Sequence, residues 1–456
     1  MYRKQTDYIE TWFTRSTRKP LIIRGARQVG KTTTVILAAR NLGVDLISIN
    51  MEDQHSFTSE LASNNPMTIF ELIALSTGRQ SLDPSKTIFF FDEAQEHPAI
   101  IPFLRYCFEK TPEFRVILTG SLLEFVLNAP DFSFPVGRVE FLFMGPMTFT
   151  EFLYGTGQTV LADKLQTFDF NHPITPAYHQ LYLEHLRTFS VVGGMPEAVK
   201  VYRDTQSWLE VARIKESILE TYHADFGKYY KRANIDIIRE VFQKIPLSLA
   251  RKTIYSKLVE GARSDVSKRA YKALELARVV SPCYHTAGNG VPMAVESKSN
   301  HFKSYFLDIG LCLSALGLNI DAVSSDLNNV AKGVVAEQFI AQHLLDDREL
   351  FQRPQNYYWQ RQKQGTSSEV DFLSHYKGQV VPIEVKSGEV GSMKSLQVFI
   401  RLKQDPPVFA LRFLGNLPEH KIVIEKESQR SYQLISLPHY LVEYWRTYLD
   451  SLPSNR

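Results

Sequence analysis

The sequence predicts an α/β chain: a parallel sheet near the N-terminus, a helical middle, and a second α/β part at the C-terminus. Three observations predict it. The apolar strand Leu21–Ile23 runs into GARQVGKT, residues 25–32, and then into a helix-forming segment. Two further apolar runs follow, Ile88–Phe91 ending in Asp92-Glu93, and FRVILTGS ending in Thr119 and Ser121. Far downstream, EVDFLSHYKGQVVPIEVKSGE alternates apolar and polar residues in the manner of a strand pair.

Composition sets the frame for these elements. The chain has 456 residues and is 44% hydrophobic and 12% aromatic, enough for several cores. At roughly 150 residues each, that is about three domains. No apolar stretch reaches the roughly 18 to 20 residues a membrane helix needs. The N-terminus, MYRKQTDYIETWFTRSTRKP, has no apolar segment of the kind that directs secretion. Cys107, Cys283 and Cys312 are far apart and form no metal-type pair, which suits a reducing compartment. The expectation is therefore a cytoplasmic protein with no membrane partner.

The first element carries the clearest chemistry. G-x-x-x-x-G-K-T between a strand and a helix is a phosphate-binding loop in its required context. Glycines let the backbone approach phosphate oxygens, and the loop amides and helix N-terminus supply partial positive charge. The cradle is Gly25, Ala26, Arg27, Gln28, Val29, Gly30, Lys31, Thr32 and Thr33. Lys31 is expected at the β- and γ-phosphates, and Thr32 on Mg²⁺.

The second element completes the site. An uninterrupted apolar strand belongs in the buried middle of a parallel sheet, and ligands bind at its C-terminal end. Asp92 is expected to anchor Mg²⁺, and Glu93 to act as base for the attacking water. No N-K-x-D guanine motif and no ABC-type signature occurs, so ATP is the expected nucleotide. Thr119 stands at a strand tip where a polar group can sense the γ-phosphate; an ordinary strand-ending turn would look the same.

Five stretches in order, RKPLIIRGARQVGKT, FFFDEAQ, ILTGS, GRV with PMTFTEFL, and VVGGMPEAV, resemble one prokaryotic family of AAA-type P-loop ATPases. That resemblance spans nearly the whole chain. It implies a RecA-like P-loop parallel sheet over 1–155, a helical lid over 156–225, a basic winged helix over 226–325, and a restriction-nuclease-like α/β domain over 326–456. Arg138, in VGRV, is the candidate arginine finger, with a structural salt bridge as the alternative.

The middle of the chain is basic. Residues 226–280 hold 13 Lys/Arg and 5 Asp/Glu inside a chain whose net charge is +3. IDIIREVFQKIP, RKTIYSKLVE and DVSKRAYKALELARVV read as three short helices, and SPCYHTAGNGVPMAVES as a β-wing. Lys268, Arg269, Lys272 and Arg278 lie on the third helix, which would enter a major groove. The partner is then duplex DNA; a winged helix used for protein contacts or domain packing is the other reading. A polar stretch near 320–330 suggests a boundary.

In the last part, Glu337 lies on an amphipathic helix, and Asp371 and Glu384-x-Lys386 lie on the two arms of the hairpin. This is the order of the restriction-nuclease-like pattern, with Val370 where proline often stands. Hard carboxylate oxygens suit a second Mg²⁺ or Mn²⁺, which would polarise a phosphodiester while Lys386 stabilises charge. A non-cleaving fold with the same acids stands beside this reading. The sequence thus predicts an ATP-hydrolysing switch on DNA with a metal-dependent nuclease domain; the alternative is an ATP-dependent regulatory protein that binds protein partners, with a non-cleaving nuclease-like domain, and the partner is then another protein or a second copy in a homo-oligomer.

Overall fold

In the computed structural model, residues 1–453 are described apart from 54–55, 80, 129–133, 230–234, 319–328, 364–365 and 389–392. The expected boundary near 320–330 lies mostly outside the described residues. The chain forms two compact units. One comprises Met1–Pro146, Leu276–Val279 and Glu349–Arg353; the other holds the remainder.

The first unit is built on five strands: β1 (Leu21–Arg24), β2 (Asp45–Asn50), β3 (Thr87–Asp92), β4 (Arg115–Thr119) and β5 (Glu140–Phe143). All are parallel, in the order β2-β3-β4-β1-β5. The unbroken apolar run of β3 is explained by its place inside the sheet, where both faces are covered. Phe89 stacks on Phe70 with ring centroids 4.1 Å apart, and Phe114 closes the same cluster. Because β4 lies between β1 and β3, the tips of three strands converge at one edge.

The second unit begins with the helices Phe149–Gly155, Pro176–Val192, Pro196–Thr205 and Trp208–Tyr229. The VVGG turn between two of them is a crossing of backbones. A Cβ on Gly194 would stand 2.2 Å from the Met147 carbonyl oxygen, and one on Gly193 would meet the Asp308 carboxylate at 2.1 Å. Asp308 is fully buried there and accepts from Gly194 N at 2.6 Å and Leu311 N at 3.0 Å.

The basic segment differs in detail from its sequence pattern. Ile235–Leu247 and Ser264–Leu276 are helices, but RKTIYSKLVE forms only one 3₁₀ turn, Tyr255–Lys257. The β-branched pair Thr253-Ile254 disfavours a helix, and Thr253 N bonds to Phe302 O at 2.8 Å instead. In the wing, VPMAVES is not a strand. Pro292 cannot donate to a ladder, and Met293–Glu296 is a 3₁₀ turn. The hairpin strands are β6 (Val280–Thr286) and β7 (Ser297–Phe306).

These two strands belong to the same sheet as β8 (Asn356–Lys363), β9 (Thr366–Tyr376), β10 (Gln379–Val385), β11 (Phe409–Leu414), β12 (Glu419–Ile424) and β13 (Ser431–Pro438). The order is β12-β13-β11-β10-β9-β8-β6-β7, with β6 parallel to β8. Lys377 and Gly378 both adopt positive φ (46° and 79°), as a two-residue turn matched to strand twist requires. The resulting register pairs Ile383 with Phe372 and so brings Glu384 abreast of Asp371.

Candidate ATP site and acidic pocket

The phosphate loop is shaped by backbone that few residues accept. Gln28 and Gly30 have φ of 62° and 95°, and a Cβ on Gly25 would lie 2.2 Å from Met144 O. Arg3 pins the loop from outside, donating to Val29 O at 2.8 Å and Gly145 O at 2.7 Å. Lys31 begins the helix Lys31–Leu42, and its Nζ donates to Gly25 O (3.1 Å) and Ala26 O (2.8 Å). Burial pulls the Lys31 ammonium down to about 8, against the opposing pull of Glu93 and Asp92. Arg27 is half-buried in the loop, and Thr33 is exposed on the first helical turn.

The strand tips supply the rest. Thr32 Oγ1 donates to Asp92 Oδ2 at 2.6 Å, and the buried Thr119 hydroxyl donates to Asp92 Oδ1. Glu93 adopts a left-handed backbone (φ 49°), a conformation a carboxylate residue holds only when its surroundings impose it. Its Oε2 accepts from Gln95 Nε2 at 2.7 Å and Ser121 Oγ at 3.1 Å. Burial opposes ionisation of Glu93, but these bonds and the Lys31 charge outweigh it and hold the group below its usual range. Glu93 is therefore ionised at neutral pH, as a base for water must be. Thr32 and Asp92 would hold Mg²⁺, which supplies charge neutralisation to phosphate oxygens. The hard oxygens already directed at one another fit that ion.

Residues 17–153 match the family model described as an AAA domain. The first unit is an AAA-type P-loop ATPase. Its neighbours in the sequence match two families described as domains of unknown function, DUF8612 over 183–322 and DUF4143 over 332–440. No curated protein matches the chain. Similar solved structures include the Walker-type ATPase Paby2304 of Pyrococcus abyssi, at 14% identity and TM-score 0.43, covering 69% of this chain and 95% of that one. The Holliday junction branch migration motor RuvB of Thermotoga maritima matches at 12% identity and TM-score 0.29, covering 62% and 89%. The Aeropyrum pernix Orc1 protein in complex with DNA matches at 13% and TM-score 0.27, covering 69% and 90%.

Two further charged groups lie in the ATPase unit. Glu124, 5% exposed on the helix after β4, is bonded by Arg24 Nε at 2.7 Å and by Arg278 Nη2 at 2.7 Å and Nε at 2.9 Å. Burial works against ionisation of Glu124, and the two guanidiniums overcome it and hold the carboxyl low. Arg278 sits in left-handed backbone, φ 58°, and is close enough to Lys31 to lower its proton affinity. Arg138 bonds Glu109 Oε1 at 2.8 Å at the surface. Sequence reading missed Arg3, Arg24 and Glu124. An acid inside the apolar SLLEFVL was the one available signal.

The other nucleic-acid candidates divide. Lys268 and Arg269 are exposed, Arg269 near Asp265 at 3.3 Å. Lys272 is turned inward onto Glu275 (2.5 Å) and Tyr284 (3.4 Å). Its burial disfavours the charge, but Glu275 more than compensates and raises it.

Glu337, Asp371, Glu384 and Lys386 form one charged cluster in the second unit, the other three within electrostatic reach of Glu384. Lys386 Nζ donates to Glu384 Oε2 at 2.6 Å, Asp371 Oδ2 accepts from Val385 N at 2.8 Å, and Glu337 Oε2 accepts from Tyr305 at 3.1 Å. Glu369 and Lys303 join them. Lys303 is 1% exposed, is ion-paired with Glu369, and lies 3.6 Å from Glu337. Burial and the neighbouring Asp371 charge raise Glu384; burial raises Glu337 against the pull of Lys303. Glu384 Oε1 is buried without a hydrogen-bond partner. Among the described residues, no three His, Cys, Asp or Glu side chains are arranged to hold a metal ion. Glu369 was legible in principle, since Glu-Val-Asp alternation puts Glu369 and Asp371 on one face of β9.

Proposed function

We propose that this ATPase is an ATP-driven switch acting on DNA. One observation carries the reading. The helix Ser264–Leu276, which presents Lys268 and Arg269 to solvent, runs directly into Leu276–Val279, a segment that belongs to the ATPase unit. Arg278, two residues beyond the helix, is in electrostatic reach of the phosphate-loop lysine. A change of charge at the phosphate loop therefore acts on the residue that follows the basic helix in the chain. The elements around it, helix, 3₁₀ turn, helix and hairpin, suit a winged helix that contacts phosphates without strong sequence preference. Binding of a labelled DNA duplex is expected to differ at least several-fold between ATP-bound and ADP-bound protein, and DNA is expected to raise the rate of phosphate release. Equal affinity in both states together with an unmoved rate would sink this reading.

A second reading concerns the acidic pocket. Its four carboxylates with a lysine beside Glu384 support metal-dependent phosphodiester cleavage, with Glu337, Asp371 and Glu384 as ligands for Mg²⁺ or Mn²⁺ and Lys386 beside the scissile group. The partnerless Glu384 Oε1 supports a ligand there. Supercoiled plasmid with Mn²⁺ is expected to be nicked by wild type and spared by Asp371→Ala. If both leave it intact, the domain is a non-cleaving fold that serves a regulator of protein partners.

A further inference from the structure

The stretches DEAQ and LTGS carry three residues to which the ATP reading gives no role: Gln95, Gly120 and Ser121. They meet at Glu93. The turn Ala94–Glu96 that follows β3 brings the Gln95 amide back onto Glu93, and Ser121 stands just beyond the tip of the neighbouring strand β4. Their donors all go to one oxygen. Glu93 Oε2 accepts from Gln95 Nε2 at 2.7 Å, from Ser121 Oγ at 3.1 Å and from Ser121 N at 3.4 Å. Among the described residues, none donates to Glu93 Oε1.

The Gln95 amide can stand only one way round. A carboxylate accepts and does not donate, so Nε2 faces Glu93 and Oε1 is turned away from it. The amide also reaches the exposed Glu96 Oε1, at 3.4 Å, a longer and weaker contact. Gln95 Oε1 is buried without a hydrogen-bond partner. It lies against Gly120, where a Cβ would stand 2.4 Å from it and 2.8 Å from Leu123 Cγ. A side chain at position 120 would therefore push the amide off its place. A buried carbonyl without a donor is unfavourable, and so is the left-handed backbone of Glu93, φ 49°. Both costs fall beside one carboxylate, and strain of this kind collects where a group is held for chemistry.

We propose that Gln95 is a positioning residue for ATP hydrolysis: it fixes one oxygen of Glu93, so that the other is presented to the attacking water, and Gly120 is the notch that admits its amide. The inference rests on the reading of Glu93 as the base for that water. A carboxylate bound at neither oxygen turns about its last bond, and a base that turns meets water at the wrong angle for most of the time. Gln95 removes that freedom from a position two residues along the chain, and Ser121 does so from the next strand.

The test is a double-mutant cycle on the full chain, read by phosphate release at saturating ATP and by fluorescent-nucleotide titration. Gln95→Met keeps the volume of the side chain and removes the amide. It is expected to lower kcat by about 10- to 100-fold, the scale of a misplacement of about 1 Å, and to leave nucleotide affinity within about twofold. In the Glu93→Gln background the same substitution is expected to change the residual rate by less than about twofold, because no base is left to position. A kcat unmoved by Gln95→Met overturns the proposal. So does an equal fold-loss in both backgrounds, which would make Gln95 a structural residue only. If Glu93→Gln alone leaves turnover unchanged, the reading of Glu93 as the base has failed, and the role of Gln95 falls with it. Should Gln95→Met not fold, Gln95→Asn keeps an amide in the turn but withdraws it by one methylene. The same losses are then expected in the same two backgrounds, and the same results overturn the proposal.

Discussion

The Thr32 hydroxyl donates to the Asp92 carboxylate at 2.6 Å, joining the end of the phosphate loop to the tip of β3. Glu93 follows at once, turned by its left-handed backbone onto Gln95 and Ser121. The two acids are thereby separated in their partners: one faces the loop threonine, the other is held by Gln95 and Ser121, and Glu93 is the candidate base for water. Glu93→Gln is expected to keep nucleotide affinity within a few-fold and to slow phosphate release by about 100-fold or more, the usual range for loss of a general base. Fluorescent-nucleotide titration alongside a phosphate-release assay would show this, and unchanged turnover would remove Glu93 from that role.

The buried Lys31 makes the site sensitive to alkaline pH. Its ammonium is pulled from the ordinary lysine value to about 8. For a base whose folded pKa is lowered, the stability contribution is present above the ordinary value and lost as pH falls through about 8. Without nucleotide, the ATPase unit is thus expected to gain stability from this group between pH 8 and pH 10, and Lys31→Met to abolish that gain. Nucleotide affinity is expected to move the other way and to weaken as pH rises past 8, because the neutral amine no longer balances phosphate charge. Thermal melts and ATP titrations across that range check both directions.

The ATP site was legible because its chemistry is local. A loop, a strand tip and a second strand tip each carry their meaning in fewer than ten residues, and the parallel sheet only has to bring three tips together. The hairpin with Asp371 and Glu384 was legible for the same reason: strand alternation and a two-residue turn fix its register. What escaped reading depends on residues far apart in the chain. Glu124 and Arg278 are 154 positions apart, and Arg278 reads as the end of a basic helix until its backbone leaves that helix. Lys303 meets Glu369 only because β6 and β7 are sewn onto β8, a junction no periodicity shows. The middle helix of the basic segment failed because a polar–apolar pattern was satisfied equally by a strand bridge and a single turn.

The exposed half of the basic helix gives a test of DNA contact that separates its residues. Each phosphate contact adds nearly one unit to the slope of log affinity against log salt. Lys268→Ala with Arg269→Ala is expected to lower that slope by about 2 and to weaken binding of unrelated duplexes alike. Lys272→Ala is expected to leave the slope unchanged, since its ammonium is committed to Glu275 and Tyr284. A slope that does not respond to the double substitution would assign this helix to protein contact or packing.

The buried Glu124 is shared by Arg24 and Arg278, and the two partners are expected to differ in what their loss does. Glu124→Gln strands two guanidiniums that are each mostly buried and is expected to cost about 3–5 kcal/mol, the range for removing one side of a buried ion pair. Arg278→Met leaves Glu124 with Arg24 and is expected to cost clearly less. Its functional effect should be the larger one. Lys268 and Arg269 remain in place, so DNA binding is expected to persist with an unchanged salt slope. The segment between the basic helix and β6 has lost the charge through which it senses Lys31, so DNA should no longer accelerate phosphate release. Denaturant midpoints rank the two variants, and phosphate release with and without duplex reads the coupling. DNA stimulation that survives Arg278→Met would show that the signal takes another route than this arginine.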